Sequence, residues 1–149
     1  MAFEINAQIG WAMLDANGHM ANTAYLDVAV DCRMSYFESK GFGPGEMARQ
    51  RIGPVVRKDE IEYFRELHML QTARVTMQLA GLSEDGSRFK LVNEIHRPDG
   101  ALAARIVTTG GWFDLKARAL VAPPNALFEA LSALPRTTGY EVLPSSIKA

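Results

Sequence analysis

Asp15-Ala16-Asn17-Gly18-His19 gathers a carboxylate, a carboxamide and an imidazole in one short stretch of chain. A carboxylate can attack an acyl carbon or take a proton from water. An imidazole, with an ordinary pKa of about 6.5, can polarise a carbonyl, orient the carboxylate or protonate a leaving group. The same residues also make a turn without any chemistry. An Asp at the first turn position accepts a hydrogen bond from the backbone two residues on, Asn before Gly suits a left-handed turn, and His19 could be an exposed loop histidine.

The segment beyond the turn shifts the balance. Asn-Gly normally announces a hairpin, yet no alternating strand comes after it. Instead Tyr25, Ala29, Cys32 and Tyr36 recur at spacings of three and four, with Leu26, Val28 and Phe37 beside them, so an amphipathic helix is predicted over Asn22–Lys40. Asn22 can cap its start, Gly41 can stop it, and Lys40 suits the negative end of its dipole. A turn aimed at a helix N-terminus sets a carboxylate beside unpaired backbone N–H groups, a pairing suited to acyl transfer.

The remaining elements must hold that corner in place. Phe3 to Met13 alternates, with Phe3, Ile5, Ala7, Ile9, Trp11 and Met13 on one side, which predicts a half-buried strand. Gly41 to Gly53 reads as a connection with a short helical turn around Glu46–Gln50. Strand-like segments then run over Val55–Leu67, Ala73–Leu79, Phe89–His96 and Leu102–Leu115, with turns at Ser83–Ser87 and Arg97–Gly100. Pro123 and Pro124 introduce a short helix, Asn125–Leu134, which Pro135 closes. Arg136–Ala149 is polar and is expected to be a loosely held tail. One long helix against one antiparallel sheet of about five strands is an α+β arrangement.

Length and composition set the frame. A chain of 149 residues fits a single domain, 1–149, able to bury a core without disulfides or a structural metal. The formal charge of -1 gives no footprint for nucleic acid. Cys32 is the lone cysteine, so no intrachain disulfide can form, and His19, His68 and His96 show no zinc-ligand spacing. The N-terminal residues from Met1 lack a leader pattern and no apolar run is long enough for a membrane, so a cytoplasmic protein is expected.

Asp15 through Tyr25, with Gly18 three residues after the Asp, a polar residue at seven and Tyr at ten, resembles the motif of hot-dog-fold thioesterases of the 4-hydroxybenzoyl-CoA thioesterase superfamily. Asp15-x-Asn17-x-His19 is similar to the acyl-ACP thioesterase branch. A second echo is Ile61-Glu62-Tyr63-Phe64-Arg65-Glu66, similar to a family strand of the form apolar-x-Tyr-x-Arg-Pro, with Glu66 where proline is usual. Relatives often carry two asparagines at the positions of Ala21 and Asn22, or a histidine at the latter.

The resemblance implies a long helix wrapped by a curved sheet and hydrolysis of an acyl-CoA, or acyl-ACP, thioester. Asp15 would be nucleophile or general base, and N–H groups at Ala21 and Asn22 the oxyanion hole. His19, Asn17 and Asn22 would assist, with no metal or organic cofactor needed. Tyr25 and Tyr63 would border the acyl pocket, although Tyr25 on an apolar stripe also suits a core. Arg57, Lys58 and Arg65 would meet the phosphates of coenzyme A, with surface solvation as the plainer role.

Glu60, Glu62 and Glu66, read as sharing a strand face, are candidates for a second carboxylate delivered across a homodimer or dimer-of-dimers interface. Cys32 is read as packing, and Trp112 and Phe113 as tunnel lining or sheet face. Two rival functions share the layout: a hot-dog enoyl-CoA hydratase, whose motif typically has proline where Gly18 stands and a histidine one residue after His19, and a non-catalytic acyl-CoA-binding module.

Overall fold

The computed structural model describes residues 2–147; Met1 and the last two residues of the expected tail lie outside them. Strand β1 (Phe3–Gln8) keeps the expected alternation, with odd residues turned inward. The alternation fails beyond it. Ile9 is fully buried, but Gly10 releases the chain into a 3-10 turn at Trp11–Met13, leaving Trp11 79% exposed. The period of two read through to Met13 therefore overshoots the strand.

Helix α1 (Asn22–Ser39) buries Ala24, Tyr25, Val28, Ala29, Cys32, Arg33, Tyr36 and Phe37, the face that the three-and-four spacing predicts. It ends where Gly41 takes a left-handed φ of 79°, a conformation that costs glycine nothing. Helix α2 (Pro44–Gln50) follows, then strands β2 (Ile52–Tyr63), β3 (Thr72–Ser83), β4 (Arg88–His96) and β5 (Leu102–Asp114). The strand order is β1-β3-β4-β5-β2, with antiparallel pairing along this path, and the curled sheet wraps α1 in a hot-dog layout. Among the described residues strand β2 pairs with β5 alone and forms an edge of the sheet.

The inward residues of the sheet close over α1. Val75, Met77, Leu79, Leu91, Ile95 and Ile106 are fully or almost fully buried, each worth about 1.5–3 kcal/mol by removal from water. Trp112 is fully buried with its ring centroid 5.8 Å from Phe37 and 5.3 Å from Phe89, so it belongs to the core.

One charged residue enters this core. Arg33 is 5% exposed, and its Nε donates to Asn93 Oδ1 (2.9 Å) while an Nη donates to Thr108 Oγ1 (2.6 Å). Thr108 passes a hydrogen bond on to Asp59 of β2 (2.5 Å), and Asn93 donates to the Thr76 carbonyl (3.0 Å). Burial pulls the Arg33 guanidinium below its ordinary pKa, and the Asp59 charge opposes the shift.

Two strands were not legible as such. Ala119–Val121 forms β6 against β5, and Arg136–Leu143, expected as part of a loose tail, forms β7, parallel to β3. Strand β7 lies outside the main path of the sheet, and Leu143 is its one fully inward residue; its polar composition therefore reads as a tail. Between β6 and β7, helix α3 (Asn125–Ser132) seats Leu127, Ala130 and Leu131 in the core, and the Tyr36 hydroxyl donates to its Ala130 carbonyl.

Candidate active site

The Asp15–His19 turn is a small hairpin set at the corner between β1 and α1. Asp15 N–H donates to the His19 carbonyl (2.9 Å), Gly18 N–H donates to the Asp15 carbonyl (3.1 Å), and Leu14 bridges Met20. Gly18 carries the positive φ of 77°, whereas Asn17 does not adopt the left-handed conformation. The Asp15 carboxylate makes the turn that its sequence position allows. Its Oδ1 accepts from the backbone N–H of Asn17 (2.8 Å) and of His19 (3.3 Å), an Asx turn. Asp15 is exposed and lines a cavity of about 340 Å³.

That cavity lies at the N-terminus of α1. Ala21, not Asn22, is the N-cap, and no side chain caps the helix. The correction has a local cause: Ala21 N–H donates to the Met13 carbonyl (2.7 Å), which fixes Ala21 in extended backbone and starts the helix one residue beyond it. The Ala21 donor is therefore engaged. Ala24 N–H returns to the Ala21 carbonyl (2.9 Å), which leaves Asn22 and Thr23 with the N–H groups that a first turn does not pair internally.

Tyr63, at the end of β2, donates its hydroxyl to the Asn22 carbonyl (2.8 Å) and meets Tyr25 edge to face with centroids 5.2 Å apart. Burial raises the Tyr25 hydroxyl above its ordinary pKa of 10.0, with Tyr63, Glu66 and Asp15 adding to the shift, so Tyr25 stays a neutral donor. Arg65 and Asn22 complete the predicted residues at the cavity.

Two further lining residues, Met20 and Phe64, were not placed there by sequence, whereas Glu66 was expected only as a second carboxylate from across an interface. Glu66 lies beyond the end of β2, so it does not share a strand face with Glu60 and Glu62. Its carboxylate instead meets His19 Nε2 (3.1 Å) within the same chain, and His68 Nε2 at 3.6 Å. Spacing along the chain showed no histidine cluster; the fold makes one, because His19 and His68 form a backbone bridge. The donor atoms of His19, Glu66 and His68 lie within 4.8 Å of one another, a set able to hold a metal ion.

The other candidates sit elsewhere in this chain. Asn17 contributes its backbone N–H to the turn, and its exposed side chain is not among the lining groups. Arg57 lines a separate cavity of about 440 Å³ with Arg88 and Ser146, and Lys58 pairs with Glu60 on the surface (3.3 Å). Phe113 stacks under Arg118. Cys32 is fully buried, and burial pushes its thiol up to about 12, which suits packing and not nucleophilic attack. Among the described residues no helix is long and apolar enough to cross a membrane.

Comparison with known proteins agrees with this layout. A Staphylococcus aureus protein solved in complex with CoA is 18% identical, with a TM-score of 0.81 over 100% of this chain and 90% of that one. The 1,4-dihydroxy-2-naphthoyl-CoA thioesterase of Synechocystis is 18% identical, with a TM-score of 0.79 over 90% and 98%. The probable thioesterase YbaW of Escherichia coli is 25% identical, with a TM-score of 0.74 over 89% and 98%. No curated protein matches the chain. The thioesterase-like superfamily matches residues 9–131, most of the sequence, and the chain belongs to that family.

Proposed function

We propose that this protein hydrolyses an acyl-CoA thioester to a free carboxylic acid and coenzyme A in the cavity at the start of α1. The observation that carries the reading is the Asp15 carboxylate. One of its oxygens is anchored by the turn, and the group lines the same cavity as Asn22, the first residue of a helix. Similarity to a structure solved with CoA, and to a CoA thioesterase, supports coenzyme A as the carrier.

In this reading Asp15 attacks the thioester carbonyl or deprotonates the attacking water. The developing oxyanion lies against the N–H groups of Asn22 and Thr23, because Ala21 N–H is already engaged. His19, positioned by Glu66, supplies a proton to the leaving sulfur, and Asn17 serves through its backbone by holding Asp15. Tyr25 and Tyr63 border the acyl group, and Arg65 meets the polar part of the substrate. No cofactor takes part, since a thiolate leaves readily once a base and an anion hole are in place.

The protein acts as a homodimer or a dimer of dimers, with the sites between subunits. The open edge of β2 favours this assembly, because a free strand edge can pair with the same strand of a second copy. Arg57 and Lys58, at the middle of that strand, meet coenzyme A phosphates near the interface.

A panel of acyl-CoA thioesters assayed for thiol release, beside hydration of crotonyl-CoA, tests the proposal. Thiol release with at least one acyl group is the expected result. Hydration without thiol release would point to a hydratase, and binding without either reaction to a non-catalytic module.

A further inference from the structure

The three histidines fall into two kinds. His96 has Glu94 as its acidic neighbour, at 3.5 Å. His19 and His68 instead share Glu66, each approaching a different carboxylate oxygen through Nε2, at 3.1 and 3.6 Å. Tetrahedral zinc with bonds of about 2.0–2.2 Å holds neighbouring ligand atoms about 3.3 Å apart. Each imidazole nitrogen lies near that distance from one oxygen of Glu66, and one donor atom from each of the three residues falls within 4.8 Å of the others.

The backbone fixes these ligands independently of any ion. His19 and His68 form a bridge, Met20 N–H donates to the Leu67 carbonyl (2.8 Å), and His68 N–H donates to Gln71 Oε1 (2.8 Å). The two imidazoles meet edge to face, with centroids 5.0 Å apart and planes at 83°. Ligands held this way lose little freedom when they close on an ion. Two imidazoles and a carboxylate are a donor set suited to a borderline divalent metal, with a fourth position left for solvent.

We propose that His19, Glu66 and His68 form a binding site for a divalent transition-metal ion of the zinc class at the wall of the cavity, and that its occupancy lowers turnover. The second half rests on the proposed hydrolase reading: an imidazole whose lone pair is bound to metal can no longer take up the proton that it is to deliver to the leaving sulfur. Coordination is reversible, and no bond of the protein is made or broken.

Zn²⁺ titrated calorimetrically, and Co²⁺ titrated by visible absorption, into the full chain test the site without reference to activity. One ion per chain is expected. His96→Ala binds like wild type, whereas Glu66→Gln and His68→Ala, checked for fold by circular dichroism, bind at least about tenfold more weakly, a loss that even outer-shell changes can cause. Equal binding by wild type and His68→Ala, or loss on His96→Ala alone, would overturn the assignment.

Acyl-CoA cleavage, followed by loss of thioester absorbance because a free thiol itself binds zinc, tests the regulation. Wild type slows over the concentrations at which Zn²⁺ binds, while His68→Ala keeps its own metal-free rate there. Binding with undiminished turnover refutes the inhibition. A chain that binds Zn²⁺ but cleaves no thioester keeps the site and loses the hydrolase reading.

Discussion

Two polar groups, one on helix α1 and one beside its start, face opposite fates. Eight residues beyond Tyr25, Arg33 is buried, and its guanidinium reaches Asn93 and Thr108, with Asp59 one bond further. At the helix start, Asp15, His19 and Glu66 are half-exposed or exposed and border a cavity beside a helix end that no side chain caps. A buried charge persists only where the surrounding polar atoms answer it. A reactive site requires the reverse, with donors and acceptors left free for the substrate. Charge at a helix therefore identifies chemistry only together with burial and bonding.

Disrupting the inner group should produce the largest loss of stability. Arg33→Ala removes side-chain volume and strands Asn93 and Thr108, which is expected to cost about 3–5 kcal/mol. Thr108→Val keeps the shape but removes both hydrogen bonds of the hydroxyl, at about 1.5–3 kcal/mol. Urea unfolding measures both. Neither change should reduce kcat per folded molecule, and an undiminished midpoint would show that the network is not what holds Arg33.

A second answered charge sharpens the comparison at smaller scale. At Asp85, burial raises the carboxyl pKa, but hydrogen bonds from the Ser145, Ser87 and Ser83 hydroxyls and the Ser87 N–H together outweigh it and leave the group well below its ordinary 3.8. A depressed native pKa adds stability above the unfolded value, and that stability is lost as pH falls from about 3.8 through the lower native value. Because Asp85 is exposed, the contribution is about 1 kcal/mol or less. Asp85→Asn should therefore lower stability at neutral pH and flatten its acid dependence, as denaturant midpoints across pH would record.

The smallest effect concerns Cys32. With burial holding its thiol at about 12, alkylation by iodoacetamide should be undetectable in the native protein and prompt in denaturant. Rapid native labelling would contradict its place in the core.

The sequence conveyed local periodicity well and long-range neighbours poorly. The buried stripe of α1 and the turns at Ser83–Ser87 and Arg97–Gly100 are readable because adjacent residues determine them. The core of the candidate site, Asp15 beside a helix start, was legible for the same reason. Strand β7 was not, since its partner β3 is distant and its composition is polar. Nor was the meeting of His19, Glu66 and His68, which depends on a backbone bridge between distant segments. Nothing in the spacing along α1 marks Arg33 for burial, which depends on Asn93 and Thr108 of distant strands.

Asp15→Asn tests the central claim most directly, because an Asn oxygen can still accept the Asn17 and His19 N–H bonds while losing the basic and nucleophilic carboxylate. With an acyl-CoA that wild type cleaves, the predicted result is a fall in kcat of about 10²–10⁴-fold, the span of general acid–base catalysis, at an unchanged melting temperature. Turnover close to that of wild type in the folded variant would contradict it and reduce Asp15 to a residue of the turn.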